Sequence, residues 1–207
     1  MRKLPPVKVA AFFALCVVFG VALWASFKVI EPVPDWRSGE LVVILPPADS
    51  LDHQFDLRLA ELFAEYLGVK LKTTTLYPQQ VMNVLARHQA HFSAIAMRSN
   101  ETDAYLKFGT SYQTVREHIV CGDDTPRQYE ELQDRQIVVA AGSAEYAALR
   151  AGRKKFPALS WQVVNQKMSS ELLEAVALGD IDCTVANEEQ ISTMRNFYPE
   201  MEASLNI

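Results

Sequence analysis

The strongest constraint on the fold is one unit used twice: a short apolar run, an amphipathic stretch of helix length, and a second apolar run. In its first use, residues 41–45 (LVVIL) end at Pro46-Pro47 and read as a buried strand. Phe55, Leu59, Leu62, Phe63 and Tyr66 then recur at helical spacing, with Arg58, Glu61 and Glu65 off that face. The spacing predicts a helix that buries this apolar stripe. Asp52 and Asp56 suit its positive N-terminal end, and Gly68 is placed to stop it with a left-handed residue. Residues 69–76 (VKLKTTTL) alternate, as a strand with one buried face does. Pro78 opens a second helix with Val81, Val84 and Leu85 on its apolar face, and residues 92–97 (FSAIAM) form the next strand.

The second use follows a crossing strand at residues 118–121 (HIVC). QIVVAAGS is strand into loop, AEYAALRAG helix, SWQVV strand, SSELLEAVALGD helix, IDCTVAN strand and EEQISTMRNFY helix. The segments VLARHQAHFSAIA and AVALGDIDCTVA echo each other as helix, turn and strand. Strand–helix alternation of this kind builds a parallel sheet with covering helices. The expected architecture is therefore α/β with two similar lobes, residues 41–116 and residues 117–207. A cleft between such lobes is a common place for a small ligand.

Ahead of the fold stands a basic start (MRKLPPVK) and an uncharged apolar run at residues 9–27. About 20 apolar residues span a bilayer, and a cleaved signal has a shorter core. Residues 1–30 are thus read as an export signal or a membrane anchor, with the length favouring the anchor. Cys16 lies inside the run and is read as membrane-buried. Residues 31–40 are a Pro-rich linker. The basic end stays in the cytoplasm and the remainder is exported, which places the fold in the periplasm at the membrane.

The net charge of −5 argues against nucleic acid as a partner. The cluster Arg153-Lys154-Lys155 reads as solvated surface. His88 and His91 stand three residues apart with no third ligand near, so they read as exposed turn residues and not as a metal site. Ser143 has no base partner visible in the sequence, and no Gly-rich phosphate loop occurs. No catalytic residue and no cofactor is expected.

The stretches FDLRLAELFAEYLGVKLK, FGTSY, LQDRQIVVAAGSAEYAAL and ELLEAVALGDIDCTVAN come in an order that resembles the family-3 solute-binding proteins of the bacterial periplasm. KFPALSWQVV, with Trp161, and FYPEMEASLNI add a resemblance to the sensor domain of the membrane-bound lytic murein transglycosylase F family. This implies a two-lobe periplasmic-binding-protein-like fold of type II. It also implies a ligand-sensing role in peptidoglycan turnover, with an amino-acid or cell-wall-peptide ligand between the lobes. The alternative is the substrate-binding protein of an amino-acid ABC transporter. Against the family pattern the chain is expected to be truncated in its second lobe. The return to the first lobe and the lysozyme-like catalytic domain are missing from it, so the lytic reaction is not assigned to these residues.

The same resemblance gives candidate ligand contacts. The family holds a carboxylate with an arginine in a Thr-x-x-Arg pattern, because a guanidinium fork matches a carboxylate. Here that arginine's place falls at Thr102 or Asp103, and Arg98 is the only arginine nearby. Asn187 stands where the family has an aspartate for the ligand ammonium, and cannot supply its charge. Ser143, after Gly142, opens a helix and is open to two readings: an anion site or an ordinary cap. The candidate set is Arg98, Thr102, Ser143 and Asn187, and free amino acids are expected to bind weakly. The resemblance also makes the strands of Cys121 and Cys183 neighbours. Two buried free thiols are the default expectation there, with a disulfide as the alternative.

Overall fold

The computed structural model describes residues 32–98, 102–111, 114–122, 125–153, 155 and 157–207. No helix among them is long and apolar enough to cross a membrane. The apolar run at residues 9–27, and with it the reading of Cys16, lies outside these residues.

The first sheet has β1 (Glu40–Leu45) at its centre, with β2 (Lys70–Thr75) and β3 (Phe92–Ser93) parallel to it on either side. After the exposed Glu40, β1 is apolar because both its faces are covered. Leu41, Val43 and Leu45 face α1 (His53–Leu67), and Val42 and Ile44 face α2 (Pro78–Ala86). Gly68 ends α1 at a φ of 68°, and Pro78 opens α2, as the sequence indicates. Two expectations fail here. β2 is exposed at five of its six residues, since it is an edge strand. β3 keeps only two residues of the strand expected over residues 92–97.

α1 is turned around relative to its expected orientation. Its buried side chains are Asp56, Ala60 and Ala64, with half-buried Leu57 and Leu67 beside them. The stripe expected to be buried faces outward: Phe55 is 59% exposed, Leu59 45%, Leu62 46%, Phe63 43% and Tyr66 84%. The helix carries two apolar stripes, and small side chains at 60 and 64 let the backbone approach the sheet closely. Periodicity alone cannot rank the two.

His91 is also not the exposed turn residue expected. Its Nδ1 accepts from the Val42 N–H at 2.8 Å, and its Nε2 reaches the Pro34 carbonyl at 2.7 Å. The ring stands in for a ladder partner beside short β3 and pins the linker to β1. His88 is exposed, with a left-handed φ of 55°.

The second sheet has the order β4 (Glu117–Cys121), β7 (Cys183–Asn187), β5 (Ile137–Ala140), β6 (Gln162–Val164). β4 runs antiparallel to β7, and the other pairs are parallel. α3 (Ala144–Gly152) covers one face through Leu149; α4 (Ser169–Ala177) and α5 (Glu188–Met194) cover the other through Leu173, Val176 and Ile191. The last residues lie along the free edge of β4, where Ile119 donates to the Leu205 carbonyl and Ile207 to that of Glu117.

Cys121 and Cys183 form a disulfide, which corrects the default of two free thiols. The antiparallel register sets them directly opposite, with Cα atoms 4.1 Å apart. This is the close class of cross-strand pair, where side chains meet.

Candidate functional site

The two sheets approach each other where α2 and α3 begin. Gly142, between β5 and α3, has a φ of 74°, a left-handed conformation that glycine adopts without strain. A Cβ placed there would lie 2.8 Å from the Gln79 Cα and 2.9 Å from its N. The first turn of α2 therefore rests on the backbone of the β5–α3 turn, and only a residue without a side chain permits it.

Beside this contact lies a cavity of about 200 Å³. One wall is Pro78, Gln79 and Met82 of α2 with Met97 and Thr102; the other is Gly142 with Tyr146, Ala147 and Arg150 of α3. The α3 residues recur at helical spacing and so share one face. The Arg150 guanidinium lies 5.8 Å from the centre of the Tyr146 ring, a distance at which a cation is attracted to the ring face. Among the described residues, Arg150 is the one charged residue on the cavity wall, and no carboxylate lines it. Gln79 Oε1 is buried with no hydrogen-bond partner among the described residues, which leaves an acceptor open at the contact.

The candidate residues divide between this cavity and other places. Thr102 is 6% exposed and lines the cavity; its hydroxyl donates to the Met97 carbonyl at 3.0 Å. Ser143 follows Gly142, and its Oγ caps α3 by accepting from the Tyr146 N–H at 3.1 Å. Arg98 is outside the wall, exposed and paired with Asp103 at 3.1 Å. Asn187 is also outside it and caps α5, accepting from the N–H groups of Glu189 at 3.0 Å and Gln190 at 2.9 Å. Sequence reasoning missed Arg150, Tyr146 and Gln79. Arg150 and Tyr146 could have been reached from Ser143, since they stand seven and three residues on, along the face that the cap begins.

A second cavity of about 250 Å³ lies between the β1–α1 loop, at Asp49 and Leu51, and the residues Glu174, Phe197 and Tyr198. The Tyr198 hydroxyl donates to Glu174 at 3.4 Å. Near the start of β4, Glu117 stands opposite Asn187 in the ladder. Burial, and then the charge of Glu145, pushes its carboxyl up to about 8. Among the described residues no group of three or more His, Cys, Asp and Glu side chains is placed to hold a metal ion.

No protein-family model matches the chain. Curated relatives are named membrane-bound lytic murein transglycosylase F. The one from Methylobacillus flagellatus is 35% identical over 61% of this chain and 28% of its own length. The one from Nitrosospira multiformis is 30% identical over 93% of this chain and 43% of its own. The chain thus spans less than half the length of these relatives. Among solved structures, an ancestral arginine-binding protein bound to arginine superposes with a TM-score of 0.66 at 18% identity, covering 82% of this chain and 80% of that one. The arginine-bound form of a truncated arginine-binding protein from T. maritima gives 0.66 at 20%, covering 83% and 84%. An amino-acid ABC transporter substrate-binding protein from Streptococcus pneumoniae, bound to L-arginine, gives 0.65 at 20%, covering 83% and 77%.

Proposed function

This chain is homologous over most of its length to the membrane-bound lytic murein transglycosylase F proteins, and from that premise we propose that it is a ligand-sensing domain of the cell envelope acting in peptidoglycan turnover. The observation that carries the reading is the cavity walled by α2 and Thr102 on one side and by Gly142 and α3 on the other. A ligand held there touches both sheets' helices, so its binding is coupled to their relative position. The two halves then act as the lobes of a binding protein, with residues 41–116 and 117–207 as their extents.

The chemistry of the wall narrows the ligand. Arg150 offers a fork to a carboxylate, and among the described residues no carboxylate lines the wall to meet an ammonium. A cell-wall peptide, with its carboxylate and amide groups, fits this better than a free amino-acid zwitterion. Thr102 and the Gly142–Ser143 turn are the contacts we propose from the original set; Arg98 and Asn187 are proposed as outlying ones. The N-terminal apolar segment would hold the domain at the membrane, on the periplasmic side.

Isothermal calorimetry with a panel of amino acids and muropeptides tests this. Muropeptides are expected to bind, and free amino acids to bind weakly or not at all. The fold likeness to amino-acid transporter proteins supports the competing reading of a substrate-binding protein for uptake. Tight binding of an ordinary amino acid would favour that reading and overturn ours.

A further inference from the structure

The cavity of about 250 Å³ beside the β1–α1 loop has a wall of two chemistries. Ser170, Glu171 and Glu174 recur at helical spacing on α4 and turn one face of that helix to it, and Asp49 joins them. The rest of the wall is apolar: Leu51, Met194 and the rings of Phe197 and Tyr198. Leu51 and Tyr198 pack against the core cluster that contains Met194, so this side belongs to the packed interior of the second sheet. Ser170 is 8% exposed, and its Oγ is buried with no hydrogen-bond partner among the described residues. A hydroxyl taken from water and left unpaired is destabilising, so its place on a cavity wall points to a partner that enters the cavity.

The carboxylates decide the charge of that partner. Glu171 is already engaged: Oε1 accepts from the Lys167 Nζ at 2.7 Å, and Oε2 from the Met168 N–H at 2.8 Å. Glu174 takes only a long contact of 3.4 Å from the Tyr198 hydroxyl. With Lys167 set against Asp49, Glu171 and Glu174, the site is left clearly negative. The N-terminal end of α4 offsets only about half a charge, so an anion is repelled. A metal ion is disfavoured too, since among the described residues no three acidic, thiol or imidazole side chains are placed to hold one. An ammonium fits both halves of the wall. It has three N–H donors and no acceptor. Ser170 Oγ and the carboxylates of Asp49 and Glu174 supply an acceptor for each. An aliphatic stem suits Leu51 and Met194, and ring faces such as those of Phe197 and Tyr198 attract a cation.

We propose that this second cavity binds a primary ammonium on an aliphatic stem, with Ser170, Asp49 and Glu174 as its acceptors. A free alkylamine carries that group, and so does the side chain of a basic residue in a peptide. The site is separate from the Arg150 cavity and does not rest on the ligand proposed there. Calorimetry on the full chain in mild detergent, with n-pentylamine and with Nα-acetyl-lysinamide, tests it. Binding is expected with a Kd on the order of 1 mM. Uptake of both probes identifies free amines as ligands, and uptake of the blocked lysine alone identifies a peptide side chain. 1-Pentanol matches pentylamine in shape without its charge and should bind about tenfold more weakly, or less. Glu174→Gln, at an exposed position, should weaken amine binding about tenfold. Ser170→Ala should weaken it about fivefold while the melting temperature is kept or raised, because alanine favours the helix and the unpaired hydroxyl is gone. The proposal fails if neither probe binds at about 10 mM, or if pentanol binds as tightly as the amine. It fails equally if Glu174→Gln or Ser170→Ala leaves the affinity unchanged, which would make the carboxylate a surface charge or the hydroxyl a partner of buried water alone.

Discussion

Glu117 places a carboxyl where its charged form is poorly accommodated. Its Oε2 is buried with no hydrogen-bond partner among the described residues, and Glu145 beside it is 5% exposed. Burial and that neighbour raise its folded-state value from 4.5 to about 8. Between those limits the folded protein keeps a proton that the unfolded chain has lost. The stability this gives is fully present below pH 4.5 and is lost as pH rises through the window, at up to about 1.4 kcal/mol per pH unit. Asp56, raised to about 6 by burial and by Asp52, adds a smaller effect of the same sign. Urea unfolding of wild type and Glu117→Gln at pH 5 and pH 8 isolates the effect. Wild type should lose more stability than the variant across that interval, and parallel losses would show that Glu117 ionises freely.

At the scale of elements, the contact between α2 and the β5–α3 turn is the joint of the proposed site. Gly142→Ala meets two obstacles there, a positive φ and a Cβ within 3 Å of the Gln79 backbone. Neither the Gln79 Cα nor its N can step aside as a side-chain tip can. The variant is expected to keep the secondary structure of both halves and to weaken muropeptide binding by about tenfold or more, read by calorimetry. Unchanged affinity would mean that the two elements separate when ligand binds. The turns and caps of these elements were legible in the sequence, because Gly68, Pro78 and Ser143 act through their own backbone or the next turn. So was the alternation that builds each sheet. The direction of α1 was not, since two apolar stripes compete and only the volume between helix and sheet selects the one with Ala60 and Ala64. His91 was missed because its partners Val42 and Pro34 are distant in sequence. In the candidate site the legible parts were the loop after β5 and Thr102. Arg150 could be reached only by following α3 from Ser143, because the sequence does not itself show that this face of α3 turns to α2.

For the whole molecule, the Cys121–Cys183 bridge constrains the unfolded chain most. It closes a loop across a sequence separation of 62, which in the chain-entropy model is worth about 4 kcal/mol. Reduction with dithiothreitol should lower the melting temperature on the order of 10 °C, and Cys121→Ala with Cys183→Ala should match the reduced form. Equal melting of the oxidised and reduced protein would show that the bridge adds nothing.

That bridge also changes what a broken chain is. β5, α3, β6 and α4 all lie between the two cysteines in sequence, so the bond makes that stretch a covalent ring with two tails. One of these tails holds the first sheet, and the other holds α5. A peptide bond cut within the ring opens it and releases nothing, whereas a cut in either tail sets a piece free. The turn at Gly142 and the face of Arg150 are both inside the ring, so the proposed site shares in its tolerance to nicking.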